Sequence, residues 1–286
     1  MKTWVTGSGG LIGSHLLRAA REVVSDWTTV GLTRQHLDLE DSAAVRRAFQ
    51  SERPERIIHC AALSRTVVCE QDPARARRLN VDVTALLAEL AAGIPLIHLS
   101  TDLVFDGRQG NYDESASVNP LTAYGQTKAA AERIVLANPR HTVLRTSLSF
   151  GFSPTGDRSF NEEICGAWRQ GRTVRLFTDE FRSPLPAEVL ARVIWELARL
   201  DKPGLYHVSG AERLSRWEIG CLLATHWPGS VARLQPCSLR DYEGPPRAAD
   251  TSLNCSRVQG LLSAPLPRFS DWPARPCSSA ASPWKT

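Results

Sequence analysis

Residues 2–13 read Lys-Thr-Trp-Val-Thr-Gly-Ser-Gly-Gly-Leu-Ile-Gly, and this stretch decides the fold. Lys2–Thr6 alternates β-branched, aromatic and polar side chains as a short buried strand would. Gly7-x-x-Gly10-x-x-Gly13 follows, and Ser14–Val24 then carries helical spacing. A strand, a glycine-spaced turn and a helix form a cradle for a dinucleotide. Gly7 permits the tight turn, Gly10 lets backbone approach a pyrophosphate, and Gly13 lets helix pack on strand. The amides that open the helix, at Leu11 and Ile12, face the anion.

The pattern continues outward from this unit. Thr28–Thr33, Arg56–Cys60, Pro95–Ser100 and His141–Thr146 read as strands. Helical stretches at 43–50, 72–92 and 121–137 separate them. Strands alternating with helices give βαβ units, and right-handed crossovers give a doubly wound parallel sheet of Rossmann-like α/β class. Its functional crevice lies at the carboxyl ends of the strands.

After Ser147 the alternation loosens. A dinucleotide-binding domain is expected over 1–150, with 174–203 returning to it. A smaller C-terminal, substrate-binding lobe is expected from 151–173 and 204–270. The Pro267–Thr286 stretch is proline-rich, and 271–286 is expected to be a loose tail.

Composition narrows the class. The 286 residues are 42% hydrophobic and 22% charged, which excludes a disordered or fibrous chain. No apolar run reaches the length of a spanning helix, and no secretory leader is read at the N-terminus. Seven scattered cysteines, none in a Cys-x-x-Cys pair, point away from a disulfide framework or a structural zinc and toward a reducing cytoplasm. The formal net charge of +4 comes without a basic stripe, so no nucleic-acid or membrane partner is expected. The seven histidines show no metal-ligand spacing; His59 and His98, inside strands, read as core residues, and no metal is expected.

The second strand ends in Gly31-Leu32-Thr33-Arg34, without the acidic residue that would bind the ribose 2′-hydroxyl of NAD. Arg34 suits a 2′-phosphate, so NADP(H) is the expected cofactor and NAD(H) the alternative. Asp38 and Leu39 lie where the adenine would sit.

Lysine occurs only at positions 2, 128, 202 and 285 among 34 basic residues, so a lysine inside a motif calls for a chemical reason. Tyr124 and Lys128 stand one helical turn apart on one face. A cation there favours tyrosinate and tunes the phenol as an acid, and Lys128 can also bond the nicotinamide ribose. Ser100-Thr101-Asp102 ends the fourth strand, at the functional edge, where a hydroxyl can hold a substrate oxygen beside Tyr124.

Over roughly residues 1–265 the chain resembles the extended short-chain dehydrogenase/reductase family, and within it the dTDP-4-dehydrorhamnose reductases. The resemblance rests on TGSGGLIG (6–13), HCAA (59–62), STDLVFDG (100–107), NPLTAYGQTK (119–128), LRTSLSFG (144–151) and GLYHVSG (204–210). It implies a catalytic Thr101–Tyr124–Lys128 set. It implies cofactor contacts from the glycine turn, Arg34, Asp38, Leu39, Ala61, Ala62, Tyr124 and Lys128. Asp102, Phe105, Arg182 and Arg247 are the candidate substrate contacts, the arginines as diphosphate clamps.

The implied reaction is NADPH-dependent reduction of the 4-keto group of a nucleotide-linked 6-deoxy sugar, as in dTDP-rhamnose biosynthesis. The alternatives are another sugar-nucleotide epimerase or reductase, and a non-catalytic NADP-binding regulatory subunit. The last is similar to the one that serves methionine adenosyltransferase. A cytoplasmic monomer or homodimer is expected.

Overall fold

The computed structural model describes residues 1–225 and 233–271. Six parallel strands form the main sheet. In spatial order they are Gly204–Val208, β5 (Thr142–Thr146), β4 (Leu96–Thr101), β3 (Arg56–His59), β1 (Lys2–Thr6) and β2 (Thr28–Leu32). The first five strands of the chain fall where the alternation of strand and helix predicts them. The β3 and β5 strands are buried throughout, because helices cover both faces of the sheet.

One face packs α1 (Leu11–Val23) and the helix Ala187–Leu200 on the sheet through Val5, Leu16, Ile58, Leu144, Ile194 and Trp195. The indole Nε1 of the fully buried Trp195 donates to the Leu16 carbonyl at 2.8 Å. The opposite face gathers Trp4, Val45, Ile57, Leu87 and Val143. Between β1 and β3 the direction of winding reverses, and Thr6 pairs with His59 at the carboxyl ends of those strands. Ligands of doubly wound sheets bind above such a switch point.

Two segments exchange the places expected of them. Gly204–Val208, assigned above to the lobe, is the edge strand of the main sheet, in register with Thr142–Thr146. Val174–Phe177, expected to return to that sheet, pairs with Leu234–Cys237 in a two-stranded ribbon of the lobe. Both are short apolar runs, and their period gives the face that is buried but not the sheet that is joined. Of the returning segment, it is Ala187–Leu200 that packs on the large domain.

The run 72–92 is not one continuous helix either. Pro73–Arg77 and Val83–Leu90 flank a wider π turn at Arg78–Asp82, which turns Asn80 wholly inward. A helix Thr66–Gln71, not expected from the sequence, precedes it.

The lobe core contains Phe150, Ile164, Trp168, Leu176 and Ile219. Its helices Phe160–Arg169 and Arg216–Ala224 each start with a reciprocal cap, Ser159 with Glu162 and Ser215 with Glu218. Phe269, with ring centroid 4.7 Å from that of Phe150, ties the end of the described chain to this lobe. The expected tail, beyond Asp271, lies outside the described residues. Among those residues, Cys60, Cys69, Cys221, Cys237 and Cys255 are free thiols, whereas Cys165 is disulfide-bonded, against the expectation of none, because scattered spacing along the chain does not say which cysteines meet in space; no helix is long and apolar enough to cross a membrane.

Candidate active site

The glycine turn is shaped by close approach of backbone to backbone. Gly7 has φ +68°, and a Cβ there would lie 2.7 Å from the Ala61 amide nitrogen. A Cβ on Gly13 would lie 2.3 Å from the Gly7 carbonyl oxygen. The turn therefore seats directly on the Ala61-Ala62 loop that follows β3. The start of α1 has no side-chain cap at Gly10 and no acidic residue in its first turn. Its first amides, at Leu11, Ile12 and Gly13, are left to an anion, so the turn fits a dinucleotide pyrophosphate.

Arg34 is exposed past the end of β2, with Nε 3.6 Å from Asp38 and Nη2 3.5 Å from Glu40. Asp38 Oδ1 accepts the Glu40 amide, while Leu39 packs under the sheet. These residues rim the turn on the β2 side, and both pairs of Arg34 are long and solvated, leaving its guanidinium available to a phosphate.

His59 fastens the turn to the loop beside it. Thr84 Oγ1 donates to the Asn80 carbonyl at 2.8 Å, so it accepts from His59 Nε2 at 3.1 Å. His59 Nδ1 in turn accepts from Thr6 Oγ1 at 2.7 Å, and Thr6 Oγ1 accepts the Ala61 amide at 3.2 Å. Every polar atom of this ring is bonded while it stays neutral, and burial pulls its pKa down to about 3. The inward Asn80 adds a second brace, with Oδ1 accepting the Leu63 amide and Nδ2 donating to Thr127 on the tyrosine-bearing helix.

That helix, Ala123–Leu136, is aimed by its N-terminus. Thr122 caps it, accepting the Gly125 amide, and Glu70 Oε1 accepts the Ala123 amide at 2.6 Å. A Cβ at Gly125 would lie 2.3 Å from the Leu103 carbonyl oxygen, so only glycine lets the helix reach the Asp102–Val104 turn after β4. This approach brings Tyr124 beside Thr101, whose hydroxyl acts on the phenol. Thr101 Oγ1 donates to Asp102 Oδ1 at 3.1 Å and accepts the Leu103 amide at 3.2 Å. Thr101 thus has one proton to share between Asp102 and the Tyr124 oxygen, and turned to Tyr124 it favours the phenolate.

Burial raises the Tyr124 phenol above its ordinary value; the Thr101 hydroxyl opposes this and the Asp102 charge adds to it. The expected lowering by a cation one turn away is not what the geometry gives. Lys128 Nζ points into β4, donating to the Leu99 carbonyl at 2.7 Å and sitting 2.9 Å from His98 Nε2. Burial brings Lys128 down to about 8, against the pull of Glu132. Beneath it Glu132 is held by Arg145, with Nε 3.0 Å from Oε1 and Nη2 2.8 Å from Oε2, and by Ser100 at 2.5 Å.

Asp102 is the link to the lobe. Its Oδ2 accepts Ser147 at 2.9 Å and Thr251 at 2.7 Å and lies 3.6 Å from Arg182 Nε. Arg182 is 3% exposed, and its remaining donors serve Glu180 and the Phe181 and Ala248 carbonyls. Glu180, fully buried, pairs with Arg182, Arg216 and Arg247. Burial resists its ionisation, but Arg216, Arg182 and Arg247 prevail and bring it down to about 2. Of the two arginines named as clamps, Arg182 is therefore enclosed. Arg247 keeps an open edge and stacks over Phe177 and Tyr242. Phe105 is 1% exposed and stacks on Tyr112 at 4.1 Å, which places it in the core and not against a ligand. No group of acidic, histidine and cysteine side chains among the described residues could hold a metal ion.

Sequence reasoning reached Thr101, Tyr124 and Lys128 but not Asn80, His98 or Glu180. An asparagine inside a helical run was a readable signal for the first. A histidine two positions before Ser100, and so on the same side of its strand, was a signal for the second. Nothing local marks Glu180, whose partners come from 182, 216 and 247.

A family model described as the RmlD substrate binding domain matches residues 1–273. The methionine adenosyltransferase 2 subunit beta of Xenopus laevis is 31% identical over 273 residues, spanning 90% of this chain and 81% of that one. The probable low-salt glycan biosynthesis reductase Agl14 of Haloferax volcanii is 30% identical over 288 residues, spanning 95% of each chain. A solved structure described as a hypothetical dTDP-4-dehydrorhamnose reductase from Sulfolobus tokodaii has a TM-score of 0.82 at 29% identity. It covers 94% of this chain and 97% of that one.

Proposed function

The chain belongs to the family of the RmlD substrate binding domain, and from that premise we propose that it reduces the 4-keto group of a nucleotide-linked 6-deoxy sugar. The observation that carries this reading is the meeting of Thr101, Tyr124 and Lys128 at the carboxyl end of β4, next to the switch point of the sheet. NADPH, when bound, supplies the hydride. The glycine turn, Leu11, Ile12, Ala61 and Ala62 hold its pyrophosphate side, and Arg34 selects the 2′-phosphate.

Tyr124 gives its proton to the oxygen that forms at C4. The phenolate left behind needs a donor, and Thr101 supplies one by turning its proton from Asp102 Oδ1 to Tyr124. Asp102 remains satisfied through Ser147, Thr251 and Arg182, so this rotation leaves no carboxylate stranded. Lys128, charged below about pH 8, offers its remaining N–H to the cofactor ribose. Arg247, on the open edge of the Glu180 cluster, takes the substrate diphosphate. The substrate class is that of dTDP-4-dehydrorhamnose.

Oxidation of NADPH, followed at 340 nm with a panel of 4-keto-6-deoxy sugar nucleotides, tests the proposal. Turnover with at least one member is expected. Tight NADP binding without turnover on any member would favour a regulatory subunit, a reading supported by the 31% identity to a methionine adenosyltransferase subunit.

A further inference from the structure

The two strand histidines of the sheet are not alike. The His59 and His98 ring centroids lie 5.2 Å apart on neighbouring strands. Both nitrogens of His59 are bonded within a closed chain of hydroxyls. His98 has one partner, Lys128 Nζ, and its Nδ1 is buried with no hydrogen-bond partner among the described residues. Since Nε2 accepts from the ammonium, the neutral ring must carry its proton at Nδ1. That proton is then unbonded, a cost that a side chain present only to fill the space would not incur.

We propose that His98 is a positioning residue for Lys128, accepting one N–H of its ammonium so that the group stays charged and its third N–H is directed outward. The proposal rests on the reductase reading. The ammonium has three donors. One goes to His98 Nε2 and one to the Leu99 carbonyl, and no described residue takes the third. Two fixed bonds define the direction of the third, as two legs of a tripod define the other.

The groups facing Lys128 leave this task to His98. From its own helix, Glu132 acts only at a distance, because Arg145 and Ser100 occupy its oxygens. From the end of β3, the Cys60 thiol is pushed up to about 12 by burial, against the pull of Lys128, and stays protonated. His59, also on β3, is neutral and bonded elsewhere. His98 is kept neutral by burial first and then by the nearby Lys128 charge. It is therefore an acceptor and not a competing cation.

The low lysine count makes a direct test practical. Protein carrying ¹³C at the lysine ε position gives at most four side-chain signals, and Lys128→Met identifies the one of interest. In the wild type the Lys128 signal is expected to titrate near pH 8. His98→Leu removes the acceptor, so the ammonium becomes less stable. Its titration should move down by about one pH unit, a tenfold change in ionisation constant, and the basic limb of kcat against pH should move with it.

His98→Gln retains an acceptor oxygen and should return both toward the wild-type position. Thermal melts identify a variant that does not fold, and His98→Phe then replaces leucine as the acceptor-free variant. Unchanged Lys128 titration in a folded acceptor-free variant would overturn the proposal, as would identical shifts for glutamine and leucine. The titration needs no substrate, so failure of the reductase reading would appear separately, as absent turnover with the Lys128 shift intact.

Discussion

Two buried ionic centres lie on either side of Thr101 and Asp102, and they solve opposite problems. Around Lys128 one cation is surrounded by a neutral histidine, a backbone carbonyl and a protonated thiol, so burial brings it down to about 8. Around Glu180 one carboxylate is surrounded by three guanidiniums, which hold it ionised down to about 2. The first arrangement keeps a charge near its tipping point, where a proton can be exchanged. The second removes a charge from any exchange and uses it to bind Phe181–Arg182, Arg216 and Arg247 into one unit. Poor compensation thus marks the centre proposed to react, and full compensation marks the one that holds the lobe together.

The contrast can be broken most severely at the phenol. Tyr124→Phe should lower kcat by roughly 10²–10⁴-fold with NADP binding retained, measured by steady-state kinetics alongside fluorescence titration of the cofactor. Wild-type turnover would remove Tyr124 from the chemistry.

At the locked centre, Glu180→Gln leaves three arginines facing one another. It should cost about 3–5 kcal/mol of stability in a denaturant melt, as breaking other buried ion pairs does. The sign of the pH effect follows from its lowered value. The carboxylate stabilises the fold at pH values above its ordinary 4.5, and that contribution is lost as pH falls from there to about 2. The acid-unfolding midpoint of Glu180→Gln should lose this component.

Arg34→Ala should weaken NADPH binding by roughly 10–100-fold while leaving NADH unaffected, the size of one charged hydrogen bond. Equal loss for both cofactors would show that Arg34 does not read the 2′-phosphate. The smallest effect is expected at the poised centre in the wild type, where kcat should fall to half near pH 8 as Lys128 loses its proton. A profile flat to pH 9.5 would mean that the charge of Lys128 is not needed.

The cofactor side of the site was legible because its chemistry is local. A strand, three glycines and a helix are consecutive, and Tyr124 and Lys128 are one turn apart on one helix. The lobe side was not. Gly204–Val208 joined the main sheet and Val174–Phe177 left it, since short apolar runs do not state their neighbours. Arg182 and Arg247 were visible as arginines, but nothing in the sequence set one inside and the other at the edge. Phe105 was visible as an aromatic residue, and only its stacking on Tyr112 placed it in the core.

By itself, then, the sequence determined the βαβ order, the glycine turn between strand and helix and the placing of a phenol and an amine one helical turn apart, because each depends on residues a few positions apart. The tertiary structure decided how those groups are charged and where their protons go. His98 meets Lys128 from a different strand, Asp102 meets Thr251 across 149 positions, and Glu180 gathers arginines from three segments. Electrostatic energy depends on distance and burial in space, and the order of residues along the chain does not encode either directly.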